Sequence, residues 1–221
     1  MIRLIATALL ALTARAESLP EILARMDRDA KTFKSMSANV KWVDYTAVID
    51  DSSEQTGEVK LKRGKNGIVC VMAVQHPEPR FLHIDGRKVR RYFPKANTVE
   101  VYDVGKYGGS MDQLLLLGFG TSGTELTKEY TIKVLGSEML GGMPTTRIEL
   151  TPKSQELQKY VSKFELWIPE GQSNPVQEKA LQPSKNYSLI IYSGLTINPQ
   201  LPDSAFELKL PAGVRTIYPQ K

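Results

Sequence analysis

The residues that most often carry out chemistry are few in this chain, and their spacing matches no catalytic or metal-binding motif. The two histidines are His76 and His83, and Cys70 is the single cysteine. The sequence patterns of zinc hydrolases, serine hydrolases and phosphate-binding loops are missing. Residues 118–123 are rich in glycine, but they lack the lysine of a phosphate loop and follow a run of leucines instead of a strand. We therefore predict that the protein is not an enzyme and uses no metal or cofactor.

Charge and cysteine content exclude further classes of protein. The formal net charge of +5 over 221 residues is too small to indicate nucleic-acid binding. One cysteine excludes an intrachain disulfide, and Cys70 lies in an apolar run where a buried thiol is expected. A group of basic residues close to one predicted turn is interpreted as a solvated strand face: Lys60, Lys62, Arg63 and Lys65.

The first sixteen residues have the pattern of a secretory signal peptide. A short basic start precedes an apolar stretch at 4–12, and Ala14-Arg15-Ala16 forms a small-x-small cleavage site. We predict cleavage after Ala16, which leaves 17–221 as one domain; a buried N-terminal helix or strand is the alternative. No cysteine lies near position 17, so we expect no lipid anchor there. No later apolar segment reaches the length of a membrane span, which predicts a soluble mature protein.

A single amphipathic helix is predicted at 19–33. Ser18 and Glu21 have the spacing of a capping box in front of it. The apolar residues fall on one stripe at 3.6 residues per turn: Leu19, Ile22, Leu23, Met26, Ala30 and Phe33. This helix therefore has one apolar face to bury.

Short strands fill most of the remaining chain. Alternating apolar and polar residues mark them, and Asp85-Gly86 is a typical two-residue hairpin turn. The pattern ends with Phe206, Leu208 and Leu210, which predict a last strand. We predict a mainly β (α+β) fold, in which about ten strands form one curved antiparallel sheet or incomplete barrel around a few helices. Because so little helix is present to cover the concave face, we expect an apolar cavity there.

One segment interrupts the strand pattern. Residues 114–117 are four consecutive leucines, with Gly108 and Gly109 before them and Gly118 and Gly120 after them. Four leucines in a row cannot all point to one side of a short helix. Either this helix is buried on all sides or it lines the cavity, and the glycines give it freedom to move as a lid.

Four further segments occur in a distinctive order. They are 57–63, which ends in Lys62-Arg63; 77–94, which contains Asp85-Gly86 and Tyr92-Phe93-Pro94; Leu150-Thr151-Pro152-Lys153; and 197–214, which ends in Pro211-Ala212-Gly213-Val214. In this order they resemble the LolA family of periplasmic lipoprotein carriers over nearly all of 17–221. One difference is Gly64, which stands where the family usually has proline.

The resemblance implies a LolA-like lipid- or lipoprotein-binding domain with a helical lid over an apolar cavity. It implies a periplasmic, monomeric carrier that moves acylated lipoproteins or related lipids from the inner to the outer membrane. An inner-membrane releasing transporter and an outer-membrane acceptor would be its partners. Arg63 takes the place of the family's arginine that holds the lid closed through lid carbonyls. Alternatively, Arg63 is a solvated strand residue and the leucines are ordinary core.

Two sets of site residues follow from this interpretation. The predicted lid and gating residues are Arg63, Leu114, Leu115, Leu116, Leu117 and Phe119. The predicted acyl-chain-binding residues are Leu61, Cys70, Met72, Leu82, Phe164 and Leu166. Two other functions remain open: an envelope-stress sensor or another lipid-binding module of the same fold, and a hydrolase with a dispersed active site.

Overall fold

Strands make up most of the described chain. The structure is a computed structural model that describes residues 17–65, 67–105 and 114–219, so the predicted signal peptide at 1–16 lies outside the described residues. The strands are β1 (Ser35–Thr46), β2 (Asp51–Gly64), β3 (Gly67–His76), β4 (Arg80–Asp85), β5 (Lys88–Phe93), β6 (Thr98–Asp103), β7 (Tyr130–Leu140), β8 (Met143–Pro152), β9 (Lys163–Pro169), β10 (Gln177–Leu181), β11 (Tyr187–Ile197) and β12 (Arg215–Ile217). The helices are α1 (Leu19–Ala30), α2 (Gly123–Glu129) and α3 (Gln155–Gln158), with short 3-10 helices η1 (Pro94–Ala96) and η2 (Asp203–Phe206).

The twelve strands form one sheet in the order β12-β6-β5-β4-β3-β2-β1-β11-β10-β9-β8-β7. Neighbouring strands are antiparallel, except that β12 and β6 are parallel. The sheet is curved and unclosed, with β12 and β7 at its two edges, which confirms the predicted incomplete barrel. The alternation pattern did not indicate β1, β10 and β12, which are twelve, five and three residues long.

Helix α1 begins where predicted and ends three residues earlier. The Ser18 backbone N–H donates to the Glu21 carboxylate at 3.0 Å, as in a capping box. Ile22 and Met26 are buried on its apolar face. Phe33 follows the helix and packs in a different cluster from these two residues, so the chain leaves the helix before reaching it.

Two apolar clusters cover one face of the sheet. The first cluster contains residues of β1–β5 together with Phe33 and Phe119. Its members are Phe33, Met36, Ala38, Val40, Val59, Leu61, Ile68, Cys70, Ile84, Val89 and Phe119. The second cluster lies between α1, α2 and strands β7–β9: Ile22, Met26, Leu117, Leu126, Tyr130, Ile148, Leu150, Phe164, Leu166 and Ile168. Gly123 allows α1 and α2 to meet closely, because a Cβ there would lie 2.4 Å from the Leu23 carbonyl oxygen.

The C-terminal segment covers part of the opposite face, and the predicted last strand at Phe206, Leu208 and Leu210 is wrong. Phe206 ends η2 and is buried against His83, whose Nε2 lies 2.9 Å from the Phe206 carbonyl oxygen. The Arg90 guanidinium donates to His83 Nδ1 at 3.1 Å, which requires Nε2 to carry the proton and donate to Phe206. Phe206, Leu208 and Leu210 therefore belong to a segment that crosses the sheet, and His83 fixes its position. The last strand of the described chain is β12.

Candidate functional site

The lid segment, defined here as residues 114–122, connects the two apolar clusters. The segment begins in helical backbone and continues as turns. Leu117 is 4% exposed and packs in the second cluster, whereas Phe119 is 2% exposed and packs in the first. Leu115 and Leu116 are half-buried against the first cluster, and Leu114 is 38% exposed. The four leucines thus point in different directions, and the segment covers the junction between the clusters.

Arg63 holds the C-terminal half of the lid segment. Its guanidinium donates through Nη2 to the Gly120 carbonyl oxygen at 2.7 Å, and its Cζ lies 5.8 Å from the centre of the Phe33 ring. Arg63 is near the end of β2, where its own backbone N–H donates to the Lys34 carbonyl at 2.8 Å. The strand backbone therefore fixes the position from which the side chain reaches the lid.

Asn174 holds a second carbonyl of the same segment. Its Nδ2 donates to the Gly118 carbonyl oxygen at 2.9 Å. The preceding residue, Ser173, donates to the Asp29 carboxylate at 2.5 Å, which fixes the β9–β10 loop against α1. Two side chains from opposite sides of the site thus bind carbonyls that are two residues apart in the lid.

The glycines of the lid segment are required by close packing. Gly118 and Gly120 have φ values of +76° and +82°, a region that favours glycine. A Cβ on Gly120 would lie 2.4 Å from the Phe33 ring, and one on Gly118 would lie 2.6 Å from the Pro175 ring. These two glycines therefore let the backbone approach its neighbours closely. The other two predicted hinge glycines, Gly108 and Gly109, lie outside the described residues.

Two polar side chains lie beneath the lid segment. The Tyr192 ring meets the Phe119 ring edge-to-face, with 4.9 Å between the ring centres. Glu178 is beside Gly118, because a Cβ on this glycine would lie 2.9 Å from Glu178 Oε1. Burial raises the pKa of Glu178 to about 8, and the neighbouring Tyr192 hydroxyl offsets this shift only in part. Burial therefore favours the protonated form of this carboxyl.

An open cavity of about 320 Å³ continues the first cluster toward the β1–β2 hairpin. Trp42, Met72 and Leu82 line it and also pack against the first cluster. Polar side chains lie around the same cavity, among them Arg80 and Arg91. Its volume is at the lower end of the roughly 300–1,000 Å³ that is typical of ligand sites, and its apolar lining suits a hydrocarbon chain.

The described residues lack two features, a cluster of metal ligands and a membrane-spanning helix. Within 17–65, 67–105 and 114–219, no group of three or more His, Cys, Asp or Glu side chains could hold a metal ion. In the same described ranges, no helix combines the length and apolarity that crossing a membrane requires.

Comparison with known proteins identifies the family. Residues 31–209 match the family described as outer membrane lipoprotein carrier protein LolA. The chain belongs to the LolA family. The matched region includes β1 to β11 together with the lid segment, Arg63 and Asn174. A comparison with curated individual proteins finds no match.

Solved structures resemble this chain at low sequence identity. An uncharacterised conserved protein from Thermus thermophilus has a TM-score of 0.57 at 13% identity, over 91% of this chain and 99% of that one. The structure of MucB has a TM-score of 0.52 at 13% identity, over 86% of this chain and 62% of that one. The lipoprotein LppX of Mycobacterium tuberculosis has a TM-score of 0.48 at 15% identity, over 84% of this chain and 99% of that one.

The structure separates the acyl-binding residues that were predicted for this LolA-family chain. Leu61 and Cys70 are buried in the first cluster, where burial raises the pKa of the Cys70 thiol to about 12. Met72 and Leu82 line the open cavity. Phe164 and Leu166 are buried in the second cluster, with the α1 side chains. Leu61, Cys70, Met72 and Leu82 therefore lie in the first cluster or in the cavity that continues it. Phe164 and Leu166 lie in the second cluster, on the other side of the lid segment.

Three residues of the site were not anticipated from the sequence: Asn174, Glu178 and Tyr192. Asn174 lies in Ser173-Asn174-Pro175, a composition that predicts only an ordinary turn. Glu178 occupies an inward position on β10, where an apolar residue is expected next to Leu166 and Ile190. The second of these could have been found by assigning β10 first, because a carboxylate on the apolar face breaks the alternation.

Proposed function

We propose that this protein is a periplasmic carrier that shields the acyl chains of lipoproteins, or of related lipids, and moves them from the inner to the outer membrane. The observation that carries this proposal is the position of the lid segment over the junction of the two apolar clusters. The Arg63 and Asn174 side chains hold it there by binding two of its carbonyl oxygens. Membership of the LolA family supports the same function. An inner-membrane releasing transporter and an outer-membrane acceptor would deliver and receive the cargo.

The lid contacts set the condition for uptake. The hydrogen bonds from Arg63 and Asn174 contribute together about 2–4.5 kcal/mol, the charged donor more than the neutral one. Burial of Leu117 and Phe119 contributes about 3–6 kcal/mol more. Since each buried methylene contributes ~0.8 kcal/mol, burial of roughly 6–13 methylenes offsets the loss of all these contacts. A long acyl chain can therefore open the lid, and a short one cannot.

Binding of an acylated peptide tests the carrier function directly. The purified protein is titrated with a palmitoylated fluorescent peptide and with the same peptide lacking the acyl chain. We expect saturable binding of the acylated peptide alone. Leu116→Asp should abolish this binding because it places a charge in the half-buried apolar surface of the lid, and Leu114→Asp, at an exposed position, is the matched control. A folded protein that binds both peptides equally, or neither, would contradict the proposal.

Transfer between membranes tests the direction of transport. Spheroplasts that retain a newly made lipoprotein are mixed with the protein, and the soluble fraction is then added to outer-membrane vesicles. We expect the lipoprotein to leave the spheroplasts with the carrier and to enter the vesicles. Binding without any transfer would favour a lipid-binding sensor over a carrier.

A further inference from the structure

The inward face of β10 carries an acid at the junction of the two clusters. Glu178 pairs across the sheet with Leu166 on β9 and with Ile190 on β11. Leu166 is buried in the second cluster, and Ile190 packs against the first. Ala180, two residues further along the same face, packs against the second cluster. Apart from the Tyr192 hydroxyl, the side chains around Glu178 along and across the sheet are therefore apolar.

The carboxyl of Glu178 is enclosed and incompletely paired. Part of the residue stays accessible, but Oε1 has no accessible surface and no hydrogen-bond partner within the described residues. None of the salt bridges found in the described ranges includes Glu178. A buried acceptor without a donor is unfavourable, so a ligand that supplies the donor gains binding energy at this position.

The orientation of Oε1 places this acceptor at the lid. A Cβ on Gly118 would approach Oε1 to 2.9 Å, so the oxygen faces the lid backbone directly. The Gly118 carbonyl oxygen is already bound by Asn174. Movement of the lid segment would therefore uncover an unpaired acceptor between two apolar surfaces, which is the environment that an amphiphile matches.

We propose that Glu178 is the polar anchor of the binding site and accepts a hydrogen bond from an N–H or O–H group next to the acyl chain of the ligand. This inference rests on the proposed function and names its ligand class. The preferred ligands are acyl chains that carry an amide N–H or a hydroxyl, and chains linked through groups without a donor bind more weakly. The apolar clusters hold the hydrocarbon, and Glu178 fixes the position of the polar group.

Two nearly isosteric ligands isolate the hydrogen bond. N-methyldodecanamide has one N–H, and N,N-dimethyldodecanamide has none, while their hydrocarbon chains are the same. Displacement of an apolar fluorophore at pH 7 gives the affinity of each. We expect the wild type to favour the secondary amide by about tenfold, which corresponds to ~1.4 kcal/mol. Glu178→Gln, which keeps an accepting oxygen, should retain this preference.

Apolar substitutions and a distant control complete the test. Glu178→Leu and Glu178→Met should bind both amides with an affinity ratio near one, and their melting temperatures verify that they are folded. Glu170→Leu removes an exposed carboxylate from the end of β9 and should keep the wild-type ratio. A wild-type ratio near one, or a tenfold ratio that persists in both apolar variants, overturns the anchor while leaving the carrier function intact. If neither amide binds to the folded wild type but the palmitoylated peptide does, the anchor alone fails. If the palmitoylated peptide does not bind either, the anchor and the carrier function both fail.

Discussion

Replacing Arg63 by leucine tests whether one hydrogen bond keeps the lid segment closed. Leucine retains an apolar contact near Phe33 but cannot donate to the Gly120 carbonyl. A hydrogen bond from a charged donor contributes about 1.5–3 kcal/mol, which corresponds to a roughly 10- to 150-fold increase in the open fraction of the lid when the bond is lost. The variant should accept acylated cargo readily and release it poorly to an acceptor membrane.

Hydrogen exchange at two lid amides measures this opening. The Leu117 N–H donates to the Leu114 carbonyl at 3.2 Å, and the Phe119 N–H donates to the Leu116 carbonyl at 2.7 Å. Both bonds lie within the lid segment and therefore report its local unfolding. Loss of the Gly120 contact should let these turns open, so protection of both amides should fall by up to the factor by which the open fraction rises.

A charge-matched control separates the lid bond from a general effect of charge. Lys60→Leu also removes one positive charge from β2, where Lys60 pairs with Glu58 at 3.4 Å, and it should leave lid exchange unchanged. Unchanged exchange in Arg63→Leu at full thermal stability would refute the reasoning, since Arg63 would then be a solvated strand residue. Loss of protection throughout the sheet would instead show a structural role.

Three further outcomes are expected. Asn174→Ala should raise lid exchange by about 2- to 10-fold, less than Arg63→Leu because its donor is neutral, and the two factors should multiply if both bonds hold one two-state lid. Burial and the Arg90 charge lower the pKa of His83, so the unfolding free energy should decrease as pH falls below about 6.5, and urea titrations should show a smaller decrease for His83→Gln. In a series of acylated peptides, binding should rise steeply between roughly 6 and 13 buried methylenes, and a gradual rise from the shortest chain onward would contradict a closed lid.

Local patterns in the sequence predict the sheet because each strand has to bury only one face. Alternation in β3 places Ile68 and Cys70 inward, and both are buried in the first cluster. Asp85-Gly86 gives the predicted turn between β4 and β5, with φ at +54° for the glycine. Ser18 and Glu21 likewise mark the start of α1.

Contacts between distant segments are the part of the structure that local patterns do not predict. Phe206, Leu208 and Leu210 alternate as in a strand, but His83 binds the Phe206 carbonyl and this segment crosses the sheet instead. Asn174 lies 56 residues from the carbonyl that it binds. The sequence around Asn174 is that of an ordinary turn. Its partner is a backbone carbonyl, which every residue has, so no sequence pattern marks the contact.

The use of backbone carbonyls explains how the lid can be both specific and apolar. Arg63 and Asn174 bind Gly120 and Gly118 through carbonyl oxygens, so no lid side chain has to be polar for closure. Leu115 and Leu116 pack against the first cluster, and in the proposed carrier they would contact hydrocarbon when the lid opens. A lid held by its own polar side chains would carry those groups into the acyl-chain site, where burial without partners is unfavourable. Attachment through the backbone avoids this conflict. It also requires the lid backbone to pack closely against its neighbours, which Gly118 and Gly120 allow.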